Sequence, residues 1–287
     1  MGSERKLLVG LIGAGIGRSL TPAMQEAEAA AQGLRLHYQL IDLDRSGLGV
    51  EALPSLIAAA PALGFAGLNI TYPCKQAVLA LLDGLSDEAR AMGAVNTVVF
   101  EGGRAVGHNT DGSGWRWGFE RTLPDADLSR VVLLGAGGAG SAIAHSVCRM
   151  QADSLVLVDS DLARATALAA ELARQYGGGR VSVGADSATA LQGASGLIHA
   201  TPTGMDKLPG LPLPAALLRP ALWVAEIVYF PLETALLKAA RSVGCRIVDG
   251  GTMAVGQALG AFELFTGRVA DAARIDAHFR QLIRERA

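Results

Sequence analysis

The sequence predicts two α/β domains, the second built on a doubly wound parallel sheet, and three observations carry that prediction. Strand-length apolar runs alternate with helical patterns along the chain, which is the rhythm of βαβ units. The glycine string GAGGAG at 135–140 follows directly on the apolar run VVLL, the place where a Rossmann-type sheet puts its phosphate-binding turn. The length, 287 residues, exceeds what a single core usually supports.

Taken in order, Leu7 to Ile12 is a continuous apolar run ending in glycines and reads as a buried parallel strand. Thr21 and Pro22 open a helix, with threonine as N-cap and proline in the first helical position. Strands are expected over Leu36–Leu43 and Gly67–Thr71, separated by a helical pattern over Glu51–Ala60. Ala94–Phe100, Gly102-Gly103 and Ala105–Gly107 read as a hairpin, and Gly112–Arg121 as a connecting helix. From Val131 the pattern runs strand, glycine turn, helix to Met150, strand Ser154–Val158 and helix Ala163–Tyr176. Further strands are expected at Arg180–Val183, Gly196–Ala200, Trp223–Ile227 and Arg246–Val248, then a helix over Ala254–Thr266 and a charged tail. The expected division is an N-terminal α/β substrate-binding and catalytic domain, 1–111 completed by 254–287, and a C-terminal Rossmann-type doubly wound domain, 112–253.

Half of the residues are hydrophobic, 18% are charged and the formal net charge is -2. That balance argues against a disordered chain and against nucleic acid as a partner. No apolar run reaches the length of a membrane span. Cys74, Cys148 and Cys245 have neither redox nor metal spacing, and His37, His108, His145, His199 and His278 are scattered, so no metal site and no serine triad is motivated. A cytoplasmic protein is expected.

The glycine string carries the clearest chemistry. Gly135 permits the tight turn, Gly137 lets backbone approach a pyrophosphate, and Gly140 allows the helix to pack closely on the strand; Ala136, Gly138 and Ala139 complete the loop. Asp159 ends the next strand, 19 positions after Gly140, where a carboxylate accepts from both ribose hydroxyls. A 2'-phosphate would meet that negative charge, so NAD is expected and NADP is the less favoured cofactor unless Arg164 compensates. Asp161 reads as the N-cap of the following helix.

Polar residues also gather at the ends of the apolar strands of the first half: Ser19 with Thr21, Asn69 to Lys75, and Asn96 with Asn109, Thr110 and Asp111. Side chains there face the ligand crevice of an open α/β sheet. Two hydroxyls beside a helix start suit a carboxylate, although Thr21 is equally explained as an N-cap. This set resembles the shikimate dehydrogenase family, whose NxTxPxK, GAVNT and NTDxxG motifs read here as Asn69–Lys75, Gly93–Thr97 and Asn109–Gly114. The resemblance extends over nearly the whole chain, including ATPTGM at Ala200–Met205, Tyr229 within VYFP, and Gln257.

The resemblance implies a dehydrogenase oxidising the C3 hydroxyl of a small-molecule cyclic hydroxy acid, shikimate or quinate, in a cleft facing the nicotinamide. It implies Lys75 and Asp111 as the catalytic pair. Ser19, Thr21, Asn69, Thr71, Asn96, Tyr229 and Gln257 become substrate contacts, and Thr201 and Pro202 cofactor contacts. Gly251 and Met253 lie near the nicotinamide, although a turn between strand and helix needs the same residues. Ser-x-Thr at 19–21 and Asp159-Ser160-Asp161 depart from the pattern of NADP enzymes specific for shikimate and resemble NAD-dependent quinate/shikimate dehydrogenases; Glu226 stands where the family usually has Asp. The rival readings are a dehydrogenase for an aminated shikimate analogue, a non-catalytic sensor binding NAD and a hydroxy acid, and a methylenetetrahydrofolate-type dehydrogenase. A homodimer is left open.

Overall fold

The computed structural model describes Lys6 to Arg286. The chain divides into two compact units, the residues up to Thr110 together with those from Gln257 onward, and Asp111–Gly256.

The first unit begins with strand β1 (Lys6–Gly13), helix α1 (Thr21–Ala31), β2 (Arg35–Asp42), the single-turn α2 (Leu43–Ser46), α3 (Leu53–Ala59) and β3 (Phe65–Ile70). It continues with short α4 (Cys74–Ala77), β4 (Gly84–Leu85), α5 (Asp87–Met92) and the hairpin β5 (Thr97–Glu101) with β6 (Arg104–His108). The sheet order is β2-β1-β3-β5-β6-β4. β1 pairs in parallel with β2 and β3, whereas β5 runs antiparallel to both β3 and β6. One edge of the sheet therefore gathers the ends of β1, β3 and β6 and the start of β5, where Asn69 pairs with Thr97 and Thr97 with His108.

Thr21 is not the N-cap of α1. Leu20 precedes the helix with helical dihedrals and there is no side-chain cap, so Thr21 is already the first helical residue and Pro22 sits one position deeper. The N–H of Thr21 instead donates to the Ser19 hydroxyl at 3.3 Å. Leu43, expected at the end of a strand, opens α2 because the Asp42 carboxylate accepts from Asp44 N and starts a helical turn.

The second unit opens with α6 (Asp111–Thr122) and runs through β7 (Val131–Leu134), α7 (Gly138–Arg149), β8 (Leu155–Val158), α8 (Leu162–Tyr176), β9 (Val181–Val183) and α9 (Ser187–Ala190). It ends with β10 (Gly196–His199), β11 (Trp223–Glu226), α10 (Ala235–Ser242), β12 (Arg246–Val248) and the first turns of α11 (Gly250–Thr266). All six strands are parallel in the order β9-β8-β7-β10-β11-β12, which is double winding with its switch point between β7 and β10. Alternation explains the wholly apolar strands. Val131 and Leu133 of β7 enter one core with Trp115, Phe119, Ile143 and Leu157. Val132 and Leu134 enter a second core on the opposite face, with Leu197, Val224 and Leu236. Trp115 stacks on Phe119 at 4.9 Å, and Phe119 meets Trp223 edge-on at 4.8 Å.

The last part of α11 returns to the first unit, where Ala261 and Phe265 pack with Val9, Leu11 and Tyr38. The charged tail forms α12 (Ala272–Arg286). Glu28 of α1 is buried and accepts from Arg274 Nε at 2.6 Å, Arg274 Nη2 at 2.9 Å and Asp271 N at 2.9 Å, tying α12 to α1. Among the described residues no helix is long and apolar enough to cross a membrane.

Candidate functional site

In the second unit, Gly135 has φ +98, a conformation open to glycine, and a Cβ there would stand 2.6 Å from the Ala200 carbonyl oxygen. At Gly140 an added Cβ would collide with the carbonyl oxygen of Gly135, so helix and turn touch through backbone. At Gly137 and Gly138 a Cβ would project into open space. Helix α7 has no side-chain cap at its N-cap Gly137, so its first-turn N–H groups point outward from the positive end of a twelve-residue helix. Open space, uncapped donors and a helix dipole fit the pyrophosphate of a dinucleotide.

Asp159 stands beside that turn. Its Oδ2 accepts from Ala136 N at 2.6 Å and its Oδ1 from Asp161 N at 2.8 Å, and the Ser160 hydroxyl donates to the same carboxylate, which leaves it a lone pair for a ribose hydroxyl. Burial pushes the carboxyl up, but the two N–H bonds and the Arg164 guanidinium outweigh it and hold Asp159 below the usual carboxylate range. Arg164 lies 3.7 Å from Asp159 and 3.1 Å from Asp161. Asp161 also caps α8, accepting from Arg164 N. Asp249 accepts from Gly251 N at 2.9 Å in the first turn of α11, and Met253 is buried in the core beside Trp115 and Phe119. Thr201 and Pro202 lie just past β10, after Ala200, and Tyr229 lies past β11, its ring 4.8 Å from that of Phe230.

In the first unit the expected acid contacts lie along the gathered edge of the sheet. The Ser19 hydroxyl donates to Thr21 Oγ1 at 3.2 Å. The preceding loop is pinned by Asp42, whose Oδ1 accepts from Gly15 N at 3.1 Å. Thr71 N donates to the carbonyl of Ile12, which sets the Asn69–Lys75 segment beside the end of β1. Lys75 is in α4, half-buried, and its carbonyl accepts from Val95 N. Asn96 is a hub: its Oδ1 accepts from Thr110 N at 2.8 Å and from the Thr97 hydroxyl at 2.9 Å, while its Nδ2 donates to Thr110 Oγ1 at 2.9 Å. Both amide hydrogens of Asn69 are engaged, with Thr97 Oγ1 at 2.9 Å and Asn96 O at 3.2 Å, and its Oδ1 accepts from the Tyr38 hydroxyl at 2.7 Å. A substrate hydroxyl meeting Asn69 would therefore donate to the second lone pair of Oδ1. The carbonyl of Gln257 accepts from Thr110 Oγ1 at 3.5 Å. Asp111, buried, opens α6 in the second unit.

Four residues to which the sequence patterns gave no role, Glu226 among them only as a departure from the family, support these groups. Tyr38, buried so that its phenol is pushed well above 10, fixes Asn69. Asp42 fixes the loop before Ser19. His199 and Glu226 end adjacent strands and meet at 2.8 Å, both side chains wholly buried. Strand register brings this pair together, and register is not visible in the separate segments. Cys74 lies in the apolar core of the first unit, a packing residue.

The family model for the shikimate dehydrogenase substrate binding domain matches residues 11–98. A shikimate dehydrogenase (NADP(+)) of Streptomyces avermitilis is 57% identical over 282 residues, 98% of this chain and 97% of that protein. A quinate/shikimate dehydrogenase (NAD(+)) of Corynebacterium efficiens is 47% identical, with 96% of this chain and 98% of that protein covered. The solved quinate dehydrogenase of Corynebacterium glutamicum in complex with NAD superposes with a TM-score of 0.90 at 44% identity, over 96% of this chain and 99% of the other. With identity of this degree over almost the full length of each relative, the chain belongs to the shikimate dehydrogenase family.

Proposed function

We propose that this chain is an NAD-dependent quinate/shikimate dehydrogenase that reversibly oxidises the C3 hydroxyl of the cyclic acid to a ketone. The relatives' names divide between NAD(+) and NADP(+), so the choice of dinucleotide rests on this chain's own residues. The observation that carries it is the Asp159 carboxylate, 5% exposed and locked to Ala136 N at the fingerprint turn. Asp161 adds a second carboxylate, and Arg164, 52% exposed, is already engaged by both. One cation between two anions leaves a site that favours ribose hydroxyls and opposes a 2'-phosphate.

NAD, when bound, supplies the acceptor for the hydride. In the same reading the lone pair of Lys75 Nζ takes the hydroxyl proton as the ketone forms, leaving Lys75 as the ammonium, which returns the proton in the reverse direction, while Asp111 holds Lys75 Nζ and the reacting hydroxyl in line. Ser19 and Thr21 donate hydroxyls to the substrate carboxylate. Asn69, Thr71, Asn96, Tyr229 and Gln257 bind ring hydroxyls, with Asn69 accepting through Oδ1. Thr201, Pro202, Gly251 and Met253 border the nicotinamide. Initial rates read at the reduced-nicotinamide absorbance, crossing quinate and shikimate with NAD and NADP, test the proposal. Turnover of both acids with NAD is expected; shikimate turnover with NADP alone refutes the assignments of Asp159 and Thr21 together.

A further inference from the structure

The second unit contains a buried polar chain to which the reaction gives no part. His199 and Glu226 are register partners at the ends of β10 and β11. Glu226 Oε1 accepts from His199 Nδ1 at 2.8 Å, from Ile227 N at 2.9 Å and from Val228 N at 3.0 Å, and its Oε2 accepts from the Thr234 hydroxyl at 3.0 Å. Both Glu226 oxygens act as acceptors towards these amides and hydroxyl, which assigns Nδ1 as the donor to Oε1, and the other ring nitrogen, Nε2, meets the Thr201 hydroxyl. The side chains of His199, Glu226 and Thr234 are wholly desolvated for little net stability, since apolar side chains of the same volume commonly serve as well. A positional task explains it better.

The ends of the chain show what is positioned. Thr201 Oγ1 accepts from Thr203 N at 3.3 Å, and Thr201 Cγ2 lies 3.0 Å from where a Cβ on Gly135 would stand. On the other side the carbonyl oxygens of Val228 and Ile227 crowd Gly250, the first residue of α11, where an added Cβ would be 2.4 and 2.5 Å from them. Three backbone segments, 201–203, 227–228 and the start of α11, are thus braced at the carboxyl ends of β10, β11 and β12. That is the side of the switch point to which a dinucleotide extends once its pyrophosphate rests on α7.

We propose that His199 and Glu226 are positioning residues for the nicotinamide half of the dinucleotide, acting through Thr201 and the amides of Ile227 and Val228. The proposal rests on the dinucleotide reading above. Wild type, His199→Asn, Glu226→Gln and Glu226→Ala are titrated with NADH by fluorescence and with ADP-ribose by calorimetry. ADP-ribose shares the adenine, both riboses and the pyrophosphate but lacks the nicotinamide. The asparagine amide overlays Nδ1, so His199→Asn keeps the Glu226 bond and severs the link to Thr201. NADH should bind about tenfold more weakly to it, the loss of about one well-formed hydrogen bond, with ADP-ribose within about twofold of wild type. Glu226→Gln, which retains an acceptor for both amides and for His199, should lie nearer wild type than Glu226→Ala.

Equal weakening of NADH and ADP-ribose in His199→Asn, or unchanged NADH affinity, overturns the proposal, as does Glu226→Gln behaving like Glu226→Ala. Should Glu226→Ala fail to fold, the NADH to ADP-ribose ratio in His199→Asn and Glu226→Gln decides alone. Wild type that binds ADP-ribose and ignores NADH removes the nicotinamide assignment here but not the fingerprint site. Wild type that binds neither removes the dinucleotide reading, and this proposal with it.

Discussion

Replacing Asp159 with asparagine changes one oxygen to an amide nitrogen and deletes one charge, so its effects separate into two measurable parts. The first is local. The carboxylate accepts N–H bonds on both oxygens, from Ala136 and Asp161; an asparagine accepts on one side only, and one donor is left facing an NH2 group. That costs about 1 to 2 kcal/mol of stability. The second part is electrostatic. Two unit charges about 5 Å apart interact by about 3 kcal/mol at an effective dielectric constant of 20. Arg164, 3.7 Å from Asp159 and half-exposed, offsets part of this, leaving about 2 kcal/mol against a 2'-phosphate. The NAD to NADP ratio of kcat/KM should therefore fall about thirtyfold in Asp159→Asn. Initial rates with both dinucleotides at fixed, saturating acid measure it, best at low ionic strength, where screening is weakest. A ratio within about twofold of wild type would refute the argument that this carboxylate selects the dinucleotide.

The remaining predictions concern proton transfer and acid stability. Lys75→Ala should lower kcat by about 10²- to 10⁴-fold, the range of a lost general acid–base group, with NADH affinity by fluorescence unchanged; full activity would dismiss Lys75 from the chemistry. His145 is wholly buried, and burial, aided by Arg149, depresses its imidazole to about 4 from 6.5. A histidine depressed in the native state lets the unfolded chain bind the proton first, so its contribution is intact above 6.5 and is lost as pH falls from there through about 4. The loss by pH 4.5 is about 2 to 3 kcal/mol. Denaturant unfolding at pH 7 and pH 4.5 should show a smaller pH difference in His145→Gln than in wild type, and equal differences would show that His145 does not control it.

Local rules carried a long way in the second unit. Strands wholly covered on both faces must be apolar throughout, as VVLL is, and glycine is the residue that reaches φ +98 at 135 or allows the backbone contact at 140. Asp161 caps its helix as the residue pattern indicates. Thr21 shows where such rules stop. Ser19 and Thr21 are both competent caps, and the dihedrals of Leu20, set by how the loop leaves β1, decide that the helix starts one residue early. The same holds for Glu226: the amides of Ile227 and Val228 that it accepts from are close in sequence, but its partner side chain, His199, is its neighbour in register only.

The sequence by itself determined the family, the α/β class, the fingerprint turn and the carboxylate at 159, because each depends on residues close together in the chain or on motifs kept in order. Only the tertiary structure decided which polar groups are already spoken for. Asn69 has given both amide hydrogens to Thr97 and Asn96, Tyr38 reaches across from β2 to fix it, and His199 meets Glu226 at the carboxyl ends of two adjacent interior strands. These contacts join residues 27 to 31 positions apart. They follow from strand order and register, which are set by the sum of both sheets' packing and not by any one segment.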